Sequence, residues 1–349
     1  MLFRSSGQIV ERVREGVPDD LPYIGSVVAK HLSSDRNLLT NAWLIKCVGA
    51  PVFCAPNIGS GGYLGSSYAP VFIGSADNHP AMPKFKLPEI YDMGDKARLQ
   101  ERRKLLANLE SDRLAEEPIG KDWHELRELA YDSMTRPEGR AAFNLQEEPL
   151  SVRERYGMHP LGQNLLLARR MVEAGVRFVT VNGWVGPAPG ENGGGPPSSS
   201  WDMHGGNMGM GNAFSTGSYG MGFCLPRLDE ALSALLTDLK DRGMLDDTLV
   251  VAVGEFGRTP VILTQGPPGR QHWPQCFSAI IAGCGIRGGA VYGESDKTGA
   301  APKSNPVTPQ DLHATVLHAL GVPLNDLGKN TGIIRPPYSS GKPVMALFG

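Results

Sequence analysis

Cysteine is scarce in this chain. The five residues (Cys47, Cys54, Cys224, Cys276, Cys284) are odd in number and show no C-x-x-C spacing, which argues against a disulfide framework or a zinc–thiolate centre. Cys47 and Cys54 are read as two buried free thiols. No window approaches eighteen consecutive apolar residues, so a membrane-spanning helix is excluded. Neither sign of charge dominates: the formal net charge is −2 with no long basic or acidic run. Nucleic acid and anionic membrane surfaces are therefore excluded as main partners. The opening Met1-Leu2-Phe3-Arg4-Ser5-Ser6 has one arginine but no apolar core of seven or more residues, and it does not read as a signal peptide.

What the chain has in excess is glycine and proline, 44 and 28 residues, together about a fifth of the 349. They concentrate at Gly186–Ser200, Gly205–Gly222 and Gln265–Gly269, which implies long structured loops on an otherwise regular scaffold. With 41% hydrophobic and 20% charged residues, the chain is long enough to bury a large core.

The regular part reads as follows. A helix is expected near Leu21–Leu32 and a strand near Trp43–Val48. Charged helical patterns run from Asp95 to Leu114 and from Asp122 to Ala142, with Leu99, Leu105, Leu106 and Leu109 on one face. His124 lies in this layer and is read as structural or exposed. After Pro160 come a helix over Leu161–Ala174 closed by Gly175, a strand over Val176–Val181, and a helix over Leu228–Arg242 stopped by Gly243. Strands at Thr248–Val253 and Cys276–Ala282 follow, then a helix opened by Thr308-Pro309-Gln310-Asp311 and running to Leu320. Such alternation predicts an α/β fold with a mainly parallel central sheet and helices on both faces. The whole chain, 1–349, then forms a single domain carrying a helical insertion at 90–150. The strands at 176–181, 248–253 and 276–282 are expected to share that sheet. The Gly59–Gly65 run resembles a phosphate-cradling loop but lacks the Lys-Ser/Thr ending of a P-loop.

The chemistry concentrates in three blocks within 73 residues: Trp201-Asp202-Met203-His204-Gly205-Gly206, Gly254-Glu255-Phe256-Gly257-Arg258 and Gly269-Arg270-Gln271-His272-Trp273. In each, a metal- or oxyanion-binding side chain sits beside glycine, which lets the backbone approach a ligand closely. Asp202 and His204 are at i and i+2, so in an extended segment they point the same way and are able to share an ion. Glu255 follows an apolar strand, where open α/β sheets place their ligands. Arg258 either pairs with Glu255 or, with its planar fork, holds an oxyanion. His272, flanked by Arg270 and Trp273, would alone read as a hydrogen-bonding loop residue and gains its weight from recurring with the other two blocks. The oxygen- and nitrogen-rich set Asp202, His204, Glu255 and His272 suits zinc, manganese or iron better than a soft thiophilic ion. His313 and His318 are read as structural, and His31, His79 and His159 are left unassigned.

These blocks, in this order, resemble the bacterial family catalogued as domain of unknown function 1501, a sulfatase-like branch of the alkaline phosphatase superfamily. The likeness is carried by Asp20–Val28 (DLPYIGSVV), Gly59–Gly74, Trp201–Asn207 (WDMHGGN), Leu228–Pro260, Gly269–Pro274 (GRQHWP), Ile286–Asp296 and Val307–Pro323. It covers nearly the whole chain. The resemblance implies a metal-dependent hydrolase of sulfate or phosphate esters acting on small molecules or polysaccharides. Asp202, His204, Glu255 and His272 would be the ligands of a divalent ion (zinc, manganese or calcium), and Arg258 and Arg270 would steady the developing charge. The resemblance also implies that relatives carry an export signal. Phe256 stands where relatives carry a second ligand, a histidine. Nothing before Asp20 fits the family's first metal-binding strand and nucleophile, so the chain is expected to be N-terminally truncated. The alternative function is a non-catalytic, metal-stabilised binding or scaffold protein of the same fold.

Overall fold

The computed structural model describes residues 20–32, 39–45, 59–87, 96–109, 131, 141–191, 201–208, 212–214, 220–325 and 336–349. Its helices are α1 (Ile24–His31), α2 (Lys96–Leu109), α3 (Leu150–Arg155), α4 (Pro160–Ala174), α5 (Met221–Asp241) and α6 (Pro309–Ala319). Its strands are β1 (Asn41–Leu44), β2 (Val71–Ile73), β3 (Phe178–Val181), β4 (Val250–Val253), β5 (Gly257–Arg258), β6 (His272–Trp273), β7 (Ala279–Ala282), β8 (Glu294–Ser295) and β9 (Pro302–Ser304). Among the described residues, no helix is long and apolar enough to cross a membrane.

The helix signals in the sequence act as expected. α4 begins at Pro160 behind His159, whose Nδ1 accepts the Gly162 N–H at 3.2 Å. It ends at Gly175, in the left-handed region at φ 112°, where a side chain would be strained. α6 opens with a full capping box between Thr308 and Asp311 and with Pro309 in its first turn. α5 departs from expectation by starting at Met221, seven residues before Leu228. It carries Pro226 inside its second turn, which removes the N–H that would bond the Gly222 carbonyl.

The sheet expectation is corrected. β1, β2 and β3 form one parallel sheet in the order β2-β1-β3. β4 instead pairs antiparallel with β7, Val251 opposite Ile281, so the strands expected at 176–181, 248–253 and 276–282 do not share one hydrogen-bonded sheet. The reason lies in the connection. Residues 254–278 contain no helix, and a parallel return needs a crossover, usually helical; the chain instead turns back beside β4.

The two sheets nevertheless serve the same layers. On one face, Ala42 and Leu44 of β1, Val179 and Val181 of β3 and Val250 of β4 meet Leu166, Leu167 and Met171 of α4 and Ala234, Leu235 and Leu239 of α5. On the other, Trp43, Phe178 and Val251 meet Tyr23 at the N-cap of α1, Ile24 and Val27 within it, and Val316 and Leu317 of α6. The switch from Trp43 to Leu44, Phe178 to Val179 and Val251 to Val250 is the two-residue period of extended chain. Helices thus cover both faces, as expected, although the parallel sheet is small.

Behind the sheet, Arg169 is fully buried and bonds three carboxylates: Glu148 at 2.8 Å, Glu173 at 2.6 Å and Asp238 at 2.9 Å. Tyr156 donates to Asp238 at 2.9 Å, Arg170 bonds Glu148, and Arg242 bonds Asp238 at 2.8 Å. Burial raises both carboxyls, but Arg169 and Arg170 hold Glu148, and Arg242, the Tyr156 hydroxyl and Arg169 hold Asp238, below the ordinary carboxylate value.

Of the layer expected at 90–150, α2 confirms a helix, but Leu105 and Leu106 are exposed while Leu99 is buried, so the stripe is not one buried face. Most of the second helical pattern, with His124, lies outside the described residues, as do Cys47 and Cys54. The Gly59–Gly65 run forms short 3-10 turns at Gly62–Leu64 and Ser66–Tyr68 rather than a strand-to-helix loop.

Candidate functional site

The block holding Asp202 and His204 is anchored at the carboxyl end of the parallel sheet. The Trp201 indole N–H donates to the carbonyl of Gly183, two residues beyond β3, at 2.5 Å. That end of the strands is where open α/β sheets bind ligands. Two further ties join the block to the third one and to the proline turn before it: Arg270 N donates to the Met203 carbonyl at 2.5 Å, and Gly206 N donates to the Pro267 carbonyl at 2.8 Å. The backbones lie so close that a Cβ on Gly269 would overlap the His204 carbonyl, and one on Gly205 would press on the Pro267 and Pro268 carbonyls. Glycine is required at both by contact, and at Gly205 also by φ 63°.

Within the block, Asp202 and His204 do not lie side by side as two equivalent donors. Asp202 Oδ1 accepts the His204 backbone N–H at 2.7 Å and faces His204 Nδ1 at 2.9 Å. An imidazole nitrogen facing a carboxylate carries the proton, so the neutral ring presents the lone pair of Nε2 outward. The Arg258 guanidinium lies on that side, Nη1 3.5 Å from Nε2.

Arg258 and His272 sit directly opposite each other in the β5–β6 ribbon, beside the pair Gly257 and Trp273. The His272 ring lies 4.7 Å from that of His204 and 4.3 Å from that of Phe256, centroid to centroid. The residue as a whole is exposed, but its ring faces these two neighbours. Desolvation there, reinforced by the positive charge of Arg258 and the adjacent His204, lowers its pKa; Asp202 opposes this. Burial likewise lowers the Arg258 pKa, while Asp202 and Glu255 pull it up. Glu255 is exposed just past β4, within electrostatic reach of Arg258. Arg270 lies with its Cζ 5.9 Å from the Phe214 ring centroid, and its buried Nε has no hydrogen-bond partner among the described residues.

Asp202, His204, His272 and Arg258 are therefore brought together from separate blocks, with Glu255 and Arg270 at the edge. Among the described residues, no group of three or more His, Cys, Asp or Glu side chains stands ready around a common point for a metal. The two imidazoles and the outward Nε2 have donor chemistry suited to a divalent ion of the zinc or manganese type. Sequence reading passed over the aromatic supports: Trp201 as anchor, Phe256 as the wall behind His272, Phe214 beside Arg270. Each aromatic lies within or near a glycine-flanked block, a pattern that was available as a signal.

His79, His159 and His313 lie away from these blocks. All three are buried, and desolvation lowers each to about 4.

A family model described as "Protein of unknown function (DUF1501)" matches residues 5–334 of the chain. No curated protein and no solved structure matches it.

Proposed function

The chain belongs to the DUF1501 family, and from that premise we propose that it is a metal-dependent hydrolase of sulfate or phosphate esters. The reading extends to the finer resemblance: a single sulfatase-like domain over 1–349, with a helical insertion at 90–150. The division between two small sheets lends that finer likeness no architectural support. The proposal rests instead on one observation, the meeting of the Asp202–His204 pair with His272 and Arg258 beside the carboxyl end of β3.

His204 and His272 would hold the ion, with Glu255 as the further carboxylate that the family resemblance implies and Asp202 fixing the His204 ring from behind, as outer carboxylates do for metal-bound histidines. A divalent ion there, zinc, manganese or calcium, would polarise the ester and acidify a bound water. Arg258, half-buried and partly stripped of solvent, would bind a non-bridging oxygen of a tetrahedral ester, and Arg270 would bring a buried N–H that has no hydrogen-bond partner among the described residues. Guanidinium groups suit such oxyanions because their donors lie in a planar fork. Their positive charge gains strength as water is excluded.

The test is turnover of an aryl sulfate and an aryl phosphate by the whole chain after chelation, then with zinc, manganese or calcium restored. Ion-dependent release of the aryl alcohol supports the reading, and no turnover with any of the three sinks it. The second reading, a non-catalytic metal-stabilised scaffold, is favoured by the lack of a third ligand around the imidazoles among the described residues. It predicts an ion-dependent rise in melting temperature without turnover of either ester.

A further inference from the structure

The β5–β6 ribbon is only two residues long on each strand, yet it carries Arg258 and His272. Directly opposed residues share a face and successive residues alternate. Arg258 and His272 therefore project together toward His204, while Trp273 projects from the back, opposite Gly257. The Trp273 indole N–H donates to the Ala300 carbonyl at 2.7 Å, in the loop that joins β8 to β9.

That loop is built around one carboxylate. Asp296 Oδ1 accepts the N–H and the hydroxyl of Thr298, both at 2.9 Å, and the Ala300 N–H at 2.9 Å. Its Oδ2 takes the Ala301 N–H at 3.2 Å, and its own N–H donates to the Ala301 carbonyl at 2.9 Å. The bonds on either side of Ala300 hold its peptide where the indole meets it.

We propose that Trp273 is a positioning residue: by tying the back of β5–β6 to the β8–β9 loop, it sets the rotation of the ribbon and so the reach of His272 and Arg258 toward His204. Toward its turn the ribbon is held by backbone bonds, Thr259 N to the Gln271 carbonyl at 3.0 Å and Leu263 with Gly269 at 2.8 and 3.1 Å; at the open end, where Gly257 faces Trp273, the indole on the reverse face is the anchor that sets the direction of the front one. The β8–β9 hairpin, remote in sequence from all three blocks, thereby becomes part of the site. The catalytic consequence rests on the hydrolase reading; the geometric one does not.

Two variants of the whole chain test this. Trp273→Phe keeps the ring and removes the N–H, and Asp296→Ala loosens the loop while leaving Trp273 in place. In the metal-free protein, the nuclear Overhauser effect between the His204 and His272 rings is measured alongside melting temperature; kcat and KM are measured for the aryl ester with metal added. The expected result is a weakened ring-to-ring effect in both variants with the fold retained. kcat should fall about 10- to 100-fold and KM change little, since misplacement by about 1 Å costs that much. Wild-type ring-to-ring intensity in both variants overturns the proposal, and so does loss of the fold in both, because Trp273 would then be a general stabilising residue. Absence of turnover in the wild type would count against the hydrolase reading alone, since the ring-to-ring effect still decides the positioning role.

Discussion

Asp202 holds His204 at two points with one oxygen, the backbone N–H at 2.7 Å and the ring Nδ1 at 2.9 Å. The double contact fixes both the turn of the chain and the plane of the ring, so Nε2 has one direction in which to bind.

Replacing Asp202 with Asn should therefore weaken metal binding without abolishing it. Loss of such an outer carboxylate typically costs about 10–100-fold in affinity. Competition against a chromogenic chelator measures the change; His204→Ala should do worse than D202N, and the opposite order would assign the ion to Asp202 itself.

Arg258→Ala should lower kcat/KM by about 10²–10³, the usual cost of removing a charge-stabilising donor. Arg258→Lys should recover only part of this, because an ammonium does not reproduce the fork. Full recovery in steady-state assays would mean that charge alone matters at this position.

Removing Arg169 should destabilise the fold far more than any site change. Arg169→Leu strands Glu148 and Asp238, both nearly buried, and breaking one side of a buried pair costs about 3–5 kcal/mol. Urea denaturation measures it. A loss below about 1 kcal/mol would show that the two carboxylates find Arg170 and Arg242 sufficient.

Stability should fall with acid in two stages. His79, His159 and His313 have folded-state values near 4, below the unfolded value of about 6.5. Between these limits the unfolded chain binds more protons, so stability drops as pH falls from about 6.5 toward 4, by on the order of 2–3 kcal/mol per residue at most. Glu148 and Asp238 are depressed carboxylates. Their contribution is present above the unfolded carboxylate value and is lost as pH falls through the lower folded one. Denaturation curves from pH 7 to 3 should show both stages, and His313→Leu should reduce the slope of the upper one.

The parts of this protein legible in its sequence are those set by local chemistry. Thr308-Pro309-Gln310-Asp311 announces α6, and Gly175 ends α4, because caps involve neighbours along the chain. The pairing of β4 differs from expectation because apolar runs reveal a strand but not its partner; the helix-free stretch 254–278 carries that information. At the site, the glycine-flanked blocks pointed to His204, His272 and Arg258. The Asp202–His204 contact, the Trp201 anchor and the Trp273–Ala300 bond depend on chain direction in space, which residue spacing does not encode.

β3 and β4 contribute side chains to the same two layers, yet they belong to separate hydrogen-bonded sheets. What joins the two is side-chain packing, with Val179, Val181 and Val250 on common neighbours, and the site's own backbone bonds, Arg270 N to the Met203 carbonyl and Gly206 N to the Pro267 carbonyl. Asp202 and His204 are anchored past β3 through Gly183, whereas Arg258 and His272 follow β4. Those bonds sit beside the two imidazoles, so the distance between His204 and His272 gauges how firmly the chain after β3 and the chain after β4 are clasped together.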